Sequence, residues 1–145
     1  MKKALILLGL ALLMFMASGC KKEDVYYSDN NLETIFYVEG QSNSQYPGED
    51  VAIYLVKYDP EMTLPETELK KFGRKKRDYH PGKRVNVYYF ANEIPNKERY
   101  EELGKKEKLT GMELKHFITL IDQEDRYSLS FQVDSAGKEE FIINN

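Results

Sequence analysis

The first twenty residues set what the rest of the chain can fold into. Met1-Lys2-Lys3 is a short basic start, and Ala4 to Ala17 follows as an almost unbroken apolar run of 14 residues. A helix that crosses a bilayer needs about 20 such residues. The run therefore predicts a secretory signal that is removed, with small residues at Ala17-Ser18-Gly19 ahead of Cys20. Without segment 1–19, 126 of the 145 residues remain, the size of one domain. A chain of this length buries roughly two-thirds of its unfolded surface. Cys20 is the only cysteine, so no internal disulfide is available and the core must hold by packing.

The two lysines of the signal lower the formal net charge from −3 for the whole chain to −5 for the remainder. An acidic domain is kept soluble by its charge and is ill suited to nucleic acid as a general partner. The chain has 11 Tyr and no Trp. Tyrosine at that density suits half-buried strands, and it also suits a binding face, where it adds contact area at low entropic cost.

Ala17-Ser18-Gly19-Cys20 resembles the lipobox of bacterial lipoproteins. The resemblance covers residues 1–20 and implies cleavage before Cys20, acyl chains on Cys20, and a domain anchored to the cell envelope by lipid. It also explains the solitary thiol. Two or more acyl chains hold a protein stably on a bilayer. Lys21-Lys22-Glu23-Asp24 resembles a surface-export signal of two-membrane bacteria, which implies the outer membrane and display on its outer face. Residues 20–31 read as a polar tether, and 32–145 as a single globular β domain.

Within that domain, Glu33 to Glu39 and Val51 to Tyr58 read as strands, separated by a Gly, Ser, Asn and Pro-Gly loop. Residues 59–83 read as the longest irregular stretch, punctuated by Pro60, Pro65, Gly73, Pro81 and Gly82, with room for a short element around Leu69 and Phe72. Val85 to Ala91 is a further strand. Pro47-Gly48-Glu49-Asp50-Val51-Ala52-Ile53-Tyr54 matches Pro81-Gly82-Lys83-Arg84-Val85-Asn86-Val87-Tyr88, two strands entered in the same way from a Pro-Gly turn. Pro95 to Leu103 reads as a short helix.

Segment 110–121 carries two signals. Leu114, Phe117, Ile118 and Ile121 have helical spacing, and Thr110-x-x-Glu113 fits a capping box. Phe117-Ile118-Thr119-Leu120-Ile121 is rich in strand formers, and the strand is preferred. In 127–134, Tyr127, Leu129, Phe131 and Val133 alternate with Ser128, Ser130, Gln132 and Asp134. A hairpin through Ser135-Ala136-Gly137-Lys138 then leads into Phe141-Ile142-Ile143. These segments predict a mainly β fold: a small antiparallel β-sandwich, immunoglobulin-like, with one short helix. The alternative is α+β, with a helix at 110–121 on an antiparallel sheet.

The chemistry is sparse. Asp78 and His80 share a side of an extended segment, but two ligands do not make a metal site. No Gly-x-Ser-x-Gly turn frames a serine nucleophile. Asp122, Glu124, Asp125 and Asp134 read as turn residues. Neither a metal nor a cofactor is expected. The one charged constellation is Lys70, Lys71, Arg74, Lys75, Lys76 and Arg77, read as a basic loop beside Phe72 and Tyr79 that meets an anionic polymer or lipid headgroups. The expected function is non-catalytic: binding of an envelope protein or polymer by a lipid-anchored domain. The alternatives are an envelope inhibitor or immunity factor and, behind it, a small hydrolase.

Overall fold

Two strands with no polar face sit at the centre of the domain. Val51–Tyr58 (β2) and Arg84–Ala91 (β3) are buried along almost their whole length. Strands of this kind need cover on both sheet faces, and helices supply it. A computed structural model describes residues 32–61, 66–124 and 126–144. The signal, Cys20 and the tether lie outside these residues.

Leu32–Gly40 (β1), Leu129–Val133 (β4) and Glu139–Ile143 (β5) complete a five-stranded sheet in the order β1-β2-β3-β4-β5. β2 and β3 run parallel and every other neighbouring pair is antiparallel. A parallel pair needs a crossover of a dozen or more residues, and helix α1 (Glu66–Asp78) lies in it. The matched Pro-Gly entries thus belong to adjacent parallel strands. Gly48 and Gly82 have φ of 77° and 76°, and Val51 stands opposite Arg84.

One face of the sheet carries Ala52, Tyr54, Val56, Val85, Val87, Tyr89, Phe131 and Val133 against Leu69 and Phe72 of α1. The Tyr89 hydroxyl donates to the Leu69 carbonyl at 2.6 Å, pinning the helix down. The other face carries Val51, Ile53, Leu55, Tyr88 and Phe90 against α2 (Lys97–Gly104) and α3 (Gly111–Thr119), through Tyr100, Leu114, Phe117 and Ile118.

Three expectations are corrected. The basic stretch is a helix, not a loop. Lys, Arg and Glu are good helix formers. Glu66 and Glu68 in the first turn and Lys75, Lys76 and Arg77 in the last complement the helix dipole. Gly73 is there for contact, not for a turn, since a Cβ at that position would lie 2.1 Å from Phe131 Cδ1.

Segment 114–121 is not a strand. The capping signal prevails: Thr110 Oγ1 accepts from the Glu113 amide at 3.3 Å, and α3 continues into a π-turn over Leu120–Glu124.

The immunoglobulin-like sandwich is not what the described residues build. They form one open mixed sheet, with helices where a second sheet would lie, so the fold reads as mainly β or α+β. The short helix expected over 95–103 is present as α2. The hairpin between β4 and β5 also forms, closed by Asp134 Oδ1 accepting from the Lys138 amide at 2.8 Å.

Candidate functional site

The strand pairing brings together three residues far apart in sequence. Tyr37 stands opposite Tyr54 and Glu39 opposite Ala52. Period-two alternation puts Tyr37, Glu39 and Tyr54 on the face that α1 covers. The turn after α1 then drops His80 between β1 and β2, with its amide donating to the Arg77 carbonyl at 2.8 Å. His80 Nε2 lies 2.6 Å from the Tyr54 hydroxyl, and Nδ1 lies 3.5 Å from Glu39 Oε1. The Tyr37 hydroxyl donates to the same Glu39 oxygen. Lys83 Nζ reaches Glu39 Oε2 at 3.4 Å.

The electrostatics follow from this geometry. The Tyr37 hydroxyl holds the Glu39 carboxyl below its usual range, with Lys83 and His80 adding to the effect against partial burial. An ionised carboxylate only accepts, so neutral His80 faces it with Nδ1–H, and its Nε2 accepts a hydrogen bond from the Tyr54 hydroxyl. Burial lowers the pKa of His80; Lys83 and Lys76 push the same way and Glu39 opposes them. Burial, with the Glu39 charge beside it, pushes Tyr54 up to about 12. Burial also raises Tyr37, reinforced by its bond to Glu39. The chain Tyr37–Glu39–His80–Tyr54 therefore keeps its protons. It does not activate the Tyr54 oxygen.

The inner members are covered, with His80 9% exposed and Tyr54 8%. The rim is open. Tyr37 is 41% exposed, its ring tilted on Tyr54 at 4.7 Å and stacked with His80 at 5.5 Å. Tyr79 is 55% exposed. Lys76 Nζ stands 5.3 Å from the Tyr54 ring, 5.0 Å from Phe72 and 5.9 Å from Tyr79.

The six basic residues of α1 make different contacts. Lys70 bridges to Glu66 at 2.5 Å and lies over Phe141. Arg74 forks onto Glu139 of β5, with Nε and Nη2 at 2.9 and 2.8 Å. Arg77 lies along the β4–β5 hairpin at Gly137. Lys71 is exposed and Lys75 half-buried. Lys76 alone is shown over the aromatic rim. Asp78 is exposed and does not pair with His80 as a ligand set, and His116 is exposed. Among the described residues no three His, Cys, Asp or Glu side chains converge as a metal site, and no helix is long and apolar enough to cross a membrane.

On the opposite face a second polar group is packed between the strands. Arg84 Nε donates to Asn86 Oδ1 at 3.0 Å and Nη2 to Gln132 Oε1 at 2.7 Å. The Arg84 guanidinium lies 4.1 Å from the Tyr46 ring centroid. Asn86 Nδ2 donates to the Tyr46 and Tyr88 hydroxyls, each at 3.3 Å. Asn86, Ser130 and Gln132 are all buried, so the polar set of the 127–134 alternation lies inside the domain.

Sequence reasoning named His80 and missed Glu39, Tyr54 and Tyr37. The available signal was the alternation Tyr37-x-Glu39, which puts both side chains on one side of β1. No family model matches the chain, and neither a curated protein nor a solved structure matches it.

Proposed function

We propose that this protein is a lipid-anchored lipoprotein of the bacterial cell envelope, held at the outer membrane through acyl chains on Cys20. Residues 20–31 serve as its tether, and its domain binds a macromolecular partner without catalysis. The observation that carries the reading is the amino-terminal segment: a basic start, a 14-residue apolar run and Ala17-Ser18-Gly19-Cys20. Its use of the one cysteine accounts for a thiol that has no disulfide partner in the chain.

Two features of the domain support binding over catalysis. The chain of titratable groups Glu39–His80–Tyr54 is internally bonded, and its hydroxyl is pushed away from ionisation. Its rim exposes Tyr37 and Tyr79 beside Lys76 and Lys83. The test is metabolic labelling with a fatty-acid analogue. The wild-type chain takes up label and matures to start at Cys20, whereas Cys20→Ser remains a larger, unlabelled precursor. Label retained by Cys20→Ser, or a mature start elsewhere, overturns the reading.

A further inference from the structure

A short segment, residues 79–83, joins the end of α1 to the start of β3. Its backbone bonds are local. The Tyr79 amide donates to the Lys76 carbonyl at 3.2 Å, the His80 amide to Arg77 at 2.8 Å and the Lys83 amide to His80 at 3.2 Å. Side chains fasten it to the sheet. The covered His80 ring reaches Tyr54 of β2 and Glu39 of β1, and Lys83 Nζ reaches Glu39 at its edge. Neighbouring elements have ties of their own. α1 is held by the Tyr89 hydroxyl on Leu69, by Gly73 against Phe131 and by the Arg74 fork on Glu139. β3 begins where the Arg84 amide donates to the Asp50 carbonyl at 2.9 Å. Loss of the His80 contacts therefore frees the segment without undoing what lies on either side.

Those contacts suit a neutral imidazole. Nδ1–H faces Glu39, and Nε2 accepts from the Tyr54 hydroxyl at 2.6 Å. A protonated ring has two donors and no acceptor, so the Tyr54 hydroxyl must turn its own proton away. Tyr37 and Glu39 face the ring from β1, Tyr54 from β2, Lys76 from α1 and Lys83 from the turn. Asp78 and Tyr79 precede it in the chain, both exposed. The Glu39 carboxylate is already shared, one oxygen with the Tyr37 hydroxyl and the other with Lys83. Charging His80 puts a third cation around that carboxylate, at a site where the residue is 9% exposed. Burial lowers the pKa of the ring, and Lys83 and Lys76 add to this against Glu39. Moving the ring into water removes the cost, so falling pH favours the open segment.

We infer that His80 is an acid-operated latch: its protonation releases residues 79–83 from β1 and β2 and uncovers Tyr54 and the Tyr37 ring, while the sheet and α1 stay folded. This goes beyond the binding reading above and does not depend on what the domain binds.

The test is hydrogen exchange of the full-length protein in detergent micelles, followed by mass spectrometry on peptides spanning 76–84 and on peptides from β2 and β3. Rates are corrected for the intrinsic effect of pH. Protection over 76–84 falls roughly tenfold from pH 7.5 to 5.0. Low urea changes it little, because a local opening exposes little surface. The strands stay at least about tenfold better protected at both pH values. In His80→Gln the fall over 76–84 shrinks to less than about twofold, whereas His116→Gln, at the exposed second histidine, behaves as the wild type. Tyr54→Phe keeps the ring and removes the hydroxyl. It exchanges faster over 76–84 at pH 7.5 and falls less on acidification. Circular dichroism at pH 7.5 checks that each variant is folded, and Tyr54→Phe carries the test if His80→Gln is not.

Three results overturn the latch. Protection over 76–84 does not fall with pH; or it falls only to the level of the strands and with their urea dependence, which is global unfolding; or folded His80→Gln, or Tyr54→Phe in its place, falls as much as the wild type, which moves the trigger to another group.

Discussion

The two faces of the sheet end in polar groups of opposite character. On the α1 face, Glu39, His80 and Tyr54 form a chain of titratable groups with an exposed aromatic rim. On the other face, Arg84, Asn86 and Gln132 form a network of a guanidinium and two amides. Both hold strand ends together at the same end of the sheet. The difference shows which is a fixed clamp and which is a surface that responds to its surroundings. A buried network with every member bonded specifies a structure. A proton-holding chain beneath open rings is where a change of pH is felt.

The largest effect is expected beneath both groups, in the packing that carries them. Phe131→Ala opens a cavity against Gly73 and costs about 3–5 kcal/mol in urea unfolding. A much smaller loss would mean that α1 does not depend on that contact. Next comes the clamp. Arg84→Ala leaves Asn86 Oδ1 and Gln132 Oε1 buried without their donor, at roughly 2–4 kcal/mol in all.

The titratable face behaves differently. His80 has its folded pKa lowered, so its contribution is full above the unfolded value of about 6.5 and is lost as pH falls through it. Glu39, also lowered, adds a second loss as pH falls below about 4.5. Melting temperatures therefore drop from pH 7.5 to 5.5 in the wild type and drop less in His80→Gln. Equal slopes would remove His80 from the comparison. The smallest effect belongs to the rim. Tyr79→Ala changes stability by about 0.5 kcal/mol or less, which separates a residue kept for contact from one kept for folding.

What was legible in the sequence follows from how local each signal is. The strands were legible from runs of β-branched and aromatic residues, with clear alternation only in 127–134, the hairpin from Asp134-Ser135-Ala136-Gly137, and Thr110 and Glu113 carried a capping signal for α3 that was outweighed. The preference for a strand at 114–121 weighed Phe117, Ile118 and Ile121 by β propensity, whereas their helical spacing matched the face that packs on the sheet. α1 was hidden by Gly73, which reads as punctuation until Phe131 is seen against it. Burial of Ser130 and Gln132 was illegible for a related reason: alternation marks two faces without saying that both are covered. The site was the least legible part. Glu39, Tyr54 and His80 meet only through the β1–β2 register and the α1 crossover, and neither is written in any window of the chain.

The sheet order repeats the order of the strands along the chain. No strand waits for a later one to be inserted between it and its neighbour. As the chain is delivered from its amino terminus, β1 closes on β2, the α1 crossover lays β3 beside them, and β4 and β5 add at the growing edge. The β1–β2 and β4–β5 connections are short, whereas the β2–β3 and β3–β4 connections run through helices and cost more to close. Assembly in this fold is a matter of adding to one edge.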